Sequence, residues 1–179
     1  MQIKAPFDKI KMAYLWEGTC KYKGGNIKIV YLHHGNRLVG NPPTQDDDMS
    51  PVGYKDCELV AELFAGAKGQ VKAIYTSPFF RCKKTAEIIN KNLNVEIIED
   101  DRLNEFESAT GESWVDLQNR VDACIEDILA KYDDKDMVIC VASGVNISAF
   151  INKAYKPASE SAPFFGVPNC CPIILNYNK

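Results

Sequence analysis

The chain has 179 residues, enough for one domain with a sizeable core, and its 46% hydrophobic and 25% charged content are ordinary for a globular protein. A formal net charge of -3 argues against a general nucleic-acid binder and leaves room only for a local basic pocket. No apolar run approaches the ~20 residues needed to span a bilayer, and Met1 to Tyr22 mixes lysines with acids, which does not read as a secretory signal.

The first 26 residues form an extension of unclear role. Within it, Met12 to Tyr22 fits either an extra hairpin or a partner contact, and Gly24-Gly25-Asn26 marks a turn. Ile27 to Leu32 is a short, β-branched apolar run and predicts a buried strand. It ends in His33-His34-Gly35-Asn36, and these are the chain's only two histidines. Taken alone, they fit half-buried residues bonding a loop as well as they fit chemistry. The Asp46-Asp47-Asp48 run reads as solvated surface.

Ser50-Pro51 opens a helix, with Cys57, Val60, Ala61, Phe64 and Ala65 at helical spacing and Gly66 and Gly69 at its end. Val71 to Thr76 is the second strand. Ser77-Pro78 is expected to cap the next helix in the same way, through Arg81, Thr85, Ala86, Ile88 and Ile89. A third strand spans Val95 to Ile98, and a polar connection from Asp100 to Gly111 holds Leu103, Glu105 and Phe106. A long amphipathic helix covers Ser113 to Tyr132, its apolar stripe running from Trp114 to Leu129.

Met137 to Ala142 is a near-continuous apolar strand, as expected in a sheet covered on both faces. Ser143-Gly144 starts a helix through Ile147, Phe150 and Ile151, and a proline-bearing loop runs from Pro157 to Pro168. Cys170-Cys171 read as small residues entering a last strand, Pro172 to Tyr177. Strands alternating with helices predict an α/β protein, a three-layer α/β/α sandwich with a mostly parallel central sheet. Without repeats or linkers, residues 1–179 are expected to form one domain. Seven cysteines, mostly inside apolar patterns, predict free thiols in a reducing, cytoplasmic setting. No Cys-x-x-Cys pair occurs, and no metal or other cofactor is expected.

Three strand ends share one edge of such a sheet: His33-His34-Gly35, Ser77-Pro78 with Arg81 a turn later, and Ser143-Gly144. Helix N-termini there favour an anion, and Arg81 adds a forked cation suited to phosphate. In order along the chain stand Leu32-His33-His34-Gly35, Ser50-Pro51-Val52-Gly53, Ser77-Pro78-Phe79-Phe80-Arg81 with Thr85-Ala86, Leu103-Asn104-Glu105, Glu112-Ser113-Trp114 with Asn119-Arg120-Val121, Val138 to Gly144, and Pro168-Asn169-Cys170. Together these blocks resemble the histidine phosphatase superfamily, the group containing phosphoglycerate mutase.

The resemblance implies that His34 attacks a phosphoryl group, that Arg81 binds phosphate, and that Glu105 protonates the leaving oxygen. His33, Asn36, Ser143 and Gly144 would complete the phosphate pocket. Two departures stand out. His33 occupies the place of the family's motif arginine, and Ser143 that of its second histidine. Two functions follow as expectations. One is a protein that binds a small phosphomonoester or phosphate, with weak hydrolysis through a phosphohistidine. The other is a catalytically disabled relative that binds a phospho-ligand or a protein. Neither involves nucleic acid or membrane.

Other chemistries fit less well. A cysteine phosphatase needs arginine six positions after its cysteine, and Cys140 has Asn146 there. A metal site shared by His33 and His34 is disfavoured because adjacent strand residues point to opposite faces.

Overall fold

Residues 16–21, 27–40, 44, 47–155 and 166–178 are described by the computed structural model. The elements are β1 (Trp16–Lys21), β2 (Ile27–His33), α1 (Pro51–Ala65), β3 (Val71–Thr76), α2 (Phe80–Leu93), β4 (Glu96–Glu99), α3 (Trp114–Lys131), β5 (Met137–Ala142), α4 (Gly144–Tyr155) and β6 (Pro172–Asn178). Two short 3₁₀ turns, Asp101–Leu103 and Ser108–Thr110, lie between β4 and α3. The six strands are ordered β1-β6-β2-β5-β3-β4. β2, β5, β3 and β4 run parallel, β6 is antiparallel to β2, and β1 is parallel to β6.

The strand alternation divides the core into two layers. Ile29 and Tyr31 of β2, Cys140 and Ala142 of β5, and Leu175 of β6 face α3 and α4. Val30, Leu32, Ile139 and Val141 face the other way, onto α1 and α2. All six residues of β5 are buried, which explains why its sequence lacks a polar face. The predicted stripe of α3 is buried from Leu117 to Leu129, and a capping box between Ser113 and Asp116 fixes its start.

Several expectations need correcting. Ser77-Pro78 does not begin α2, which starts at Phe80 with Phe79 as its cap. The Ser77 hydroxyl instead donates to Asn104 Oδ1 (2.7 Å) and accepts from Phe79 N (3.3 Å). Ala65 is exposed rather than part of the buried face of α1. Cys170 and Cys171 sit in the turn before β6, and Cys170 has left-handed backbone (φ 54°). Asp47 is not solvated surface but a buried partner of Arg37, Thr44 and the Gly40 amide. Trp16–Lys21 is not half of a hairpin with β2 but a strand paired to β6, which separates the two. Most of the proline-bearing loop, with the rest of the N-terminal extension, lies outside the described residues.

The loop after β2 rests on the first turn of α1. A Cβ on Gly53 would overlap the Asn36 carbonyl oxygen and stand 2.7 Å from the Asn36 nitrogen. Backbone on both sides leaves no flexible group to yield. Gly53→Ala is therefore expected to cost about 1–3 kcal/mol, as overpacking does, whereas Val52→Ala on the exposed face should stay within ~0.5 kcal/mol. Thermal unfolding of the two variants reads the difference.

Candidate active site

The carboxyl ends of β2, β5 and β3 meet at one edge of the sheet, where open α/β folds place ligands. The ladder continues past the strands: His34 N donates to Ala142 O (3.2 Å) and Ser77 N to Val141 O (3.1 Å). His34 is 5% exposed and Arg81 is 1% exposed. A carbonyl can only accept, so the 2.8 Å bond between His34 Nδ1 and Gly35 O puts the proton on Nδ1. The Nε2 lone pair then faces inward and accepts from Arg81 Nε at 3.0 Å. Arg81 reaches on with Nη2 to Glu105 Oε2 (2.6 Å), and its guanidinium lies 5.1 Å from the centre of the Phe79 ring. His34, Arg81 and Glu105 thus form one continuous chain of contacts.

His33 is held differently. Its Nδ1 donates to Val167 O (2.7 Å), leaving Nε2 as acceptor, 3.4 Å from Asn169 Nδ2. The two imidazoles lie edge to face with centroids 4.5 Å apart. This overturns the expectation that they point to opposite faces. β2 ends at His33, so strand alternation no longer governs His34. The His33 ring lies against Gly144, where a Cβ would stand 3.1 Å from Cε1. Glycine at the start of α4 is what admits the ring.

Burial pushes the pKa of both histidines down. His34 falls to about 3, helped by the Arg81 charge and by the competing protonation of His33, and opposed by its bond to Gly35. His33 also falls, against its bond to Val167 O and the nearby Glu105. Both rings are therefore neutral at pH 7.

Of the other predicted residues, Ser143 is buried at the head of α4, where its hydroxyl accepts from Asn146 N (3.4 Å). Asn36 turns away from the histidines, its Oδ1 accepting from Ser50 Oγ (2.8 Å) at the cap of α1. Three residues that sequence reasoning did not single out for the site hold its parts in place. Asn169 Nδ2 donates to His34 O (2.8 Å). Thr85 Oγ1 accepts from Gly35 N (3.0 Å). Arg120 Nη1 donates to the carbonyls of Arg102 (2.6 Å) and Asn104 (2.8 Å), fixing the turn that presents Glu105, while Glu112 balances its charge at 2.6 Å. All three lie in motif blocks that the sequence displays, but bonds to backbone groups leave no signature there.

The site thus gathers two histidines, an arginine and a carboxylate at the carboxyl edge of a mostly parallel α/β sandwich. The sequence matches the histidine phosphatase superfamily (branch 1) over residues 34–109 and 106–179, and the chain belongs to that family. No curated protein matches it. Among similar solved structures is a mycobacterial glucosyl-3-phosphoglycerate phosphatase complexed with VO3, at 21% identity and TM-score 0.66, covering 80% of this chain and 88% of that one. Another is the Entamoeba histolytica phosphoserine phosphatase in complex with 3-phosphoglyceric acid, at 18% identity and TM-score 0.66, covering 86% and 97%. A third, mycobacterial hydrolase 1, shares 21% identity at TM-score 0.63, covering 80% and 86%. These likenesses establish the shared fold.

Proposed function

We propose that this protein binds a small phosphomonoester and hydrolyses it slowly through a phosphohistidine at His34. One observation carries the reading: the His34 ring is fixed as the Nδ1–H tautomer, with its Nε2 lone pair 3.0 Å from Arg81 Nε. A neutral, oriented imidazole beside a guanidinium is what attack on a phosphoryl group needs. The phosphoryl oxygens would draw Arg81 away from Nε2 and sit against the amide groups at the start of α4. Glu105, half-buried and reached by Arg81, would take up a proton once phosphate draws Arg81 away and pass it to the leaving oxygen.

Turnover should be slow. Both nitrogens of His33 are engaged by Val167 and Asn169, so a neutral His33 offers no N–H to a phosphoryl oxygen. The Ser143 hydroxyl accepts from Asn146 N at the helix cap and keeps its proton to donate, but it brings no positive charge where the family has a histidine. Removing one donor that stabilises the transition state costs ~10²–10³ in rate, and two such positions are altered here. The test is quenching in alkaline denaturant during p-nitrophenyl phosphate hydrolysis, which preserves the acid-labile phosphohistidine bond, followed by mass spectrometry. One phosphoryl group on His34 is expected. Phosphate-dependent thermal stabilisation without any phosphoenzyme or turnover would instead favour a binding module, for which the altered pocket at His33 and Ser143 already speaks.

A further inference from the structure

We propose that Cys57 and Cys170 form a reversible disulfide that ties helix α1 to the turn holding both motif histidines. The two sulfurs lie 3.4 Å apart across 113 positions of sequence, both fully buried. A disulfide needs about 2.05 Å, so an approach of roughly 1.4 Å closes the bond. Cys57 is on the buried face of α1. Cys170 belongs to the turn before β6 and occupies a left-handed backbone conformation, φ 54°, that cysteine seldom adopts. Strain of this kind collects where a segment is poised to rearrange.

That turn is directly wired to the site. Cys170 N donates to His33 O at 2.9 Å, and its neighbour Asn169 donates to His34 O at 2.8 Å. On the other side, a Cβ on Gly35 would stand 2.8 Å from Cys57 Sγ, so the thiol packs against the residue that follows His34. The Cys57 sulfur and the Cys170 amide thus both meet the backbone that sets the two imidazoles.

Within the pair, one thiol is primed. The hydrogen bond that they share draws Cys57 below the ordinary thiol pKa and holds Cys170 above it. By contrast, burial pushes Cys82 and Cys124 up to about 12, where thiols are inert. The chemistry requires a peroxide as oxidant. The Cys57 thiolate attacks one peroxide oxygen, the O–O bond breaks, and water leaves after protonation, giving a Cys57 sulfenic acid. The Cys170 sulfur then attacks the Cys57 sulfur, and the displaced hydroxide leaves as water with the Cys170 proton. In sum, two thiols and one hydrogen peroxide give one disulfide and two waters. Such bonds serve transient sensing even where thiols are normally kept reduced.

The proposal is independent of catalysis and is tested without it. Purified protein is treated with hydrogen peroxide, its remaining thiols are alkylated after denaturation, and the unreduced digest is analysed by mass spectrometry. A Cys57–Cys170 cross-link that dithiothreitol removes is expected, retained in Cys171→Ser and lost in Cys170→Ser. In Cys170→Ser the stranded Cys57 sulfenic acid should be captured by dimedone. Both cysteines recovered alkylated, or a bridge to Cys171 instead, would overturn the pairing. Because the chain has two histidines and both are in the site, imidazole NMR signals report on it alone. Both are expected to shift on oxidation and return on reduction, and unmoved signals beside a formed cross-link would refute the link to the motif.

Discussion

His34→Ala is expected to bring p-nitrophenyl phosphate hydrolysis down to background, and Arg81→Ala to lower it by roughly 10²–10³-fold. The first follows from a count of nucleophiles. The chain has two histidines, and both nitrogens of His33 are engaged, so no second imidazole can take over from His34. The second follows from charge. With both imidazoles neutral, the guanidinium of Arg81 is the cation bonded to His34 in the site, and Glu105 shares it. Alanine leaves incoming phosphate without that cation and leaves the Glu105 carboxylate facing it. Freeing the Nε2 lone pair from Arg81 acts in the opposite direction, but a nucleophile that no longer meets its substrate gains nothing. Lysine should rescue only part of the loss, because an ammonium cannot span His34 and a phosphoryl oxygen as a planar fork does. Steady-state kinetics decide the matter. His34→Ala at the wild-type rate would remove the phosphohistidine route. Arg81→Ala with unchanged kcat and KM would remove Arg81 from the pocket.

Much of this arrangement is legible in the sequence, and the exceptions have identifiable causes. Met137–Ala142 is read to the residue, because an unbroken apolar run of 6 residues rich in valine and isoleucine is too short for a helix and fits a strand buried on both faces. The start of α1 is equally plain: Ser50 accepts from Gly53 N, as its sequence promises. Ser77-Pro78 carries the same dipeptide and fails, because the Ser77 hydroxyl donates to Asn104, a residue 27 positions away. A local signal had been diverted by a long-range partner. β1 was unreadable for a related reason, since its register partners begin at Ile173, beyond every element that local patterning connects to Trp16.

The site shows the same division. Gly35 and Arg81 announce themselves by type and spacing, and Glu105 through the family resemblance of Leu103-Asn104-Glu105. Asn169 and Arg120 act by donating to backbone carbonyls, and any residue type can supply a carbonyl. The pairing of His33 with His34 escapes the period-two rule because β2, on which that rule holds, ends at His33. A rule of secondary structure ends with the element, and functional residues gather just beyond that end.

The buried histidines also set the protein's response to acid. A histidine whose folded pKa lies below its unfolded value binds fewer protons folded than unfolded across the interval between them. Its contribution to stability is complete above the unfolded value, near 6.5, and is lost as pH falls toward the folded value. For His34 that interval runs from 6.5 to about 3. Between pH 7 and pH 5 the loss is about 2 kcal/mol, taking 1.36 kcal/mol per pKa unit. His33 is displaced in the same direction and adds to it. Carboxylates contribute little there because most titrate near pH 4. For a chain of this length the His34 share corresponds to a fall in Tm of about 4–8 °C. His34→Asn keeps an N–H donor where Nδ1 meets Gly35 O but cannot protonate, so it should erase that share and leave only the slope due to His33. A Tm that is flat from pH 7 to pH 5 in wild type, or as steep in His34→Asn, would show that the ring is not held neutral by burial. Hydrolysis carries the companion sign. A nucleophile already neutral at pH 5 gives no rise in rate through pH 6.5, so kcat should be level across the range in which an exposed histidine would switch it on.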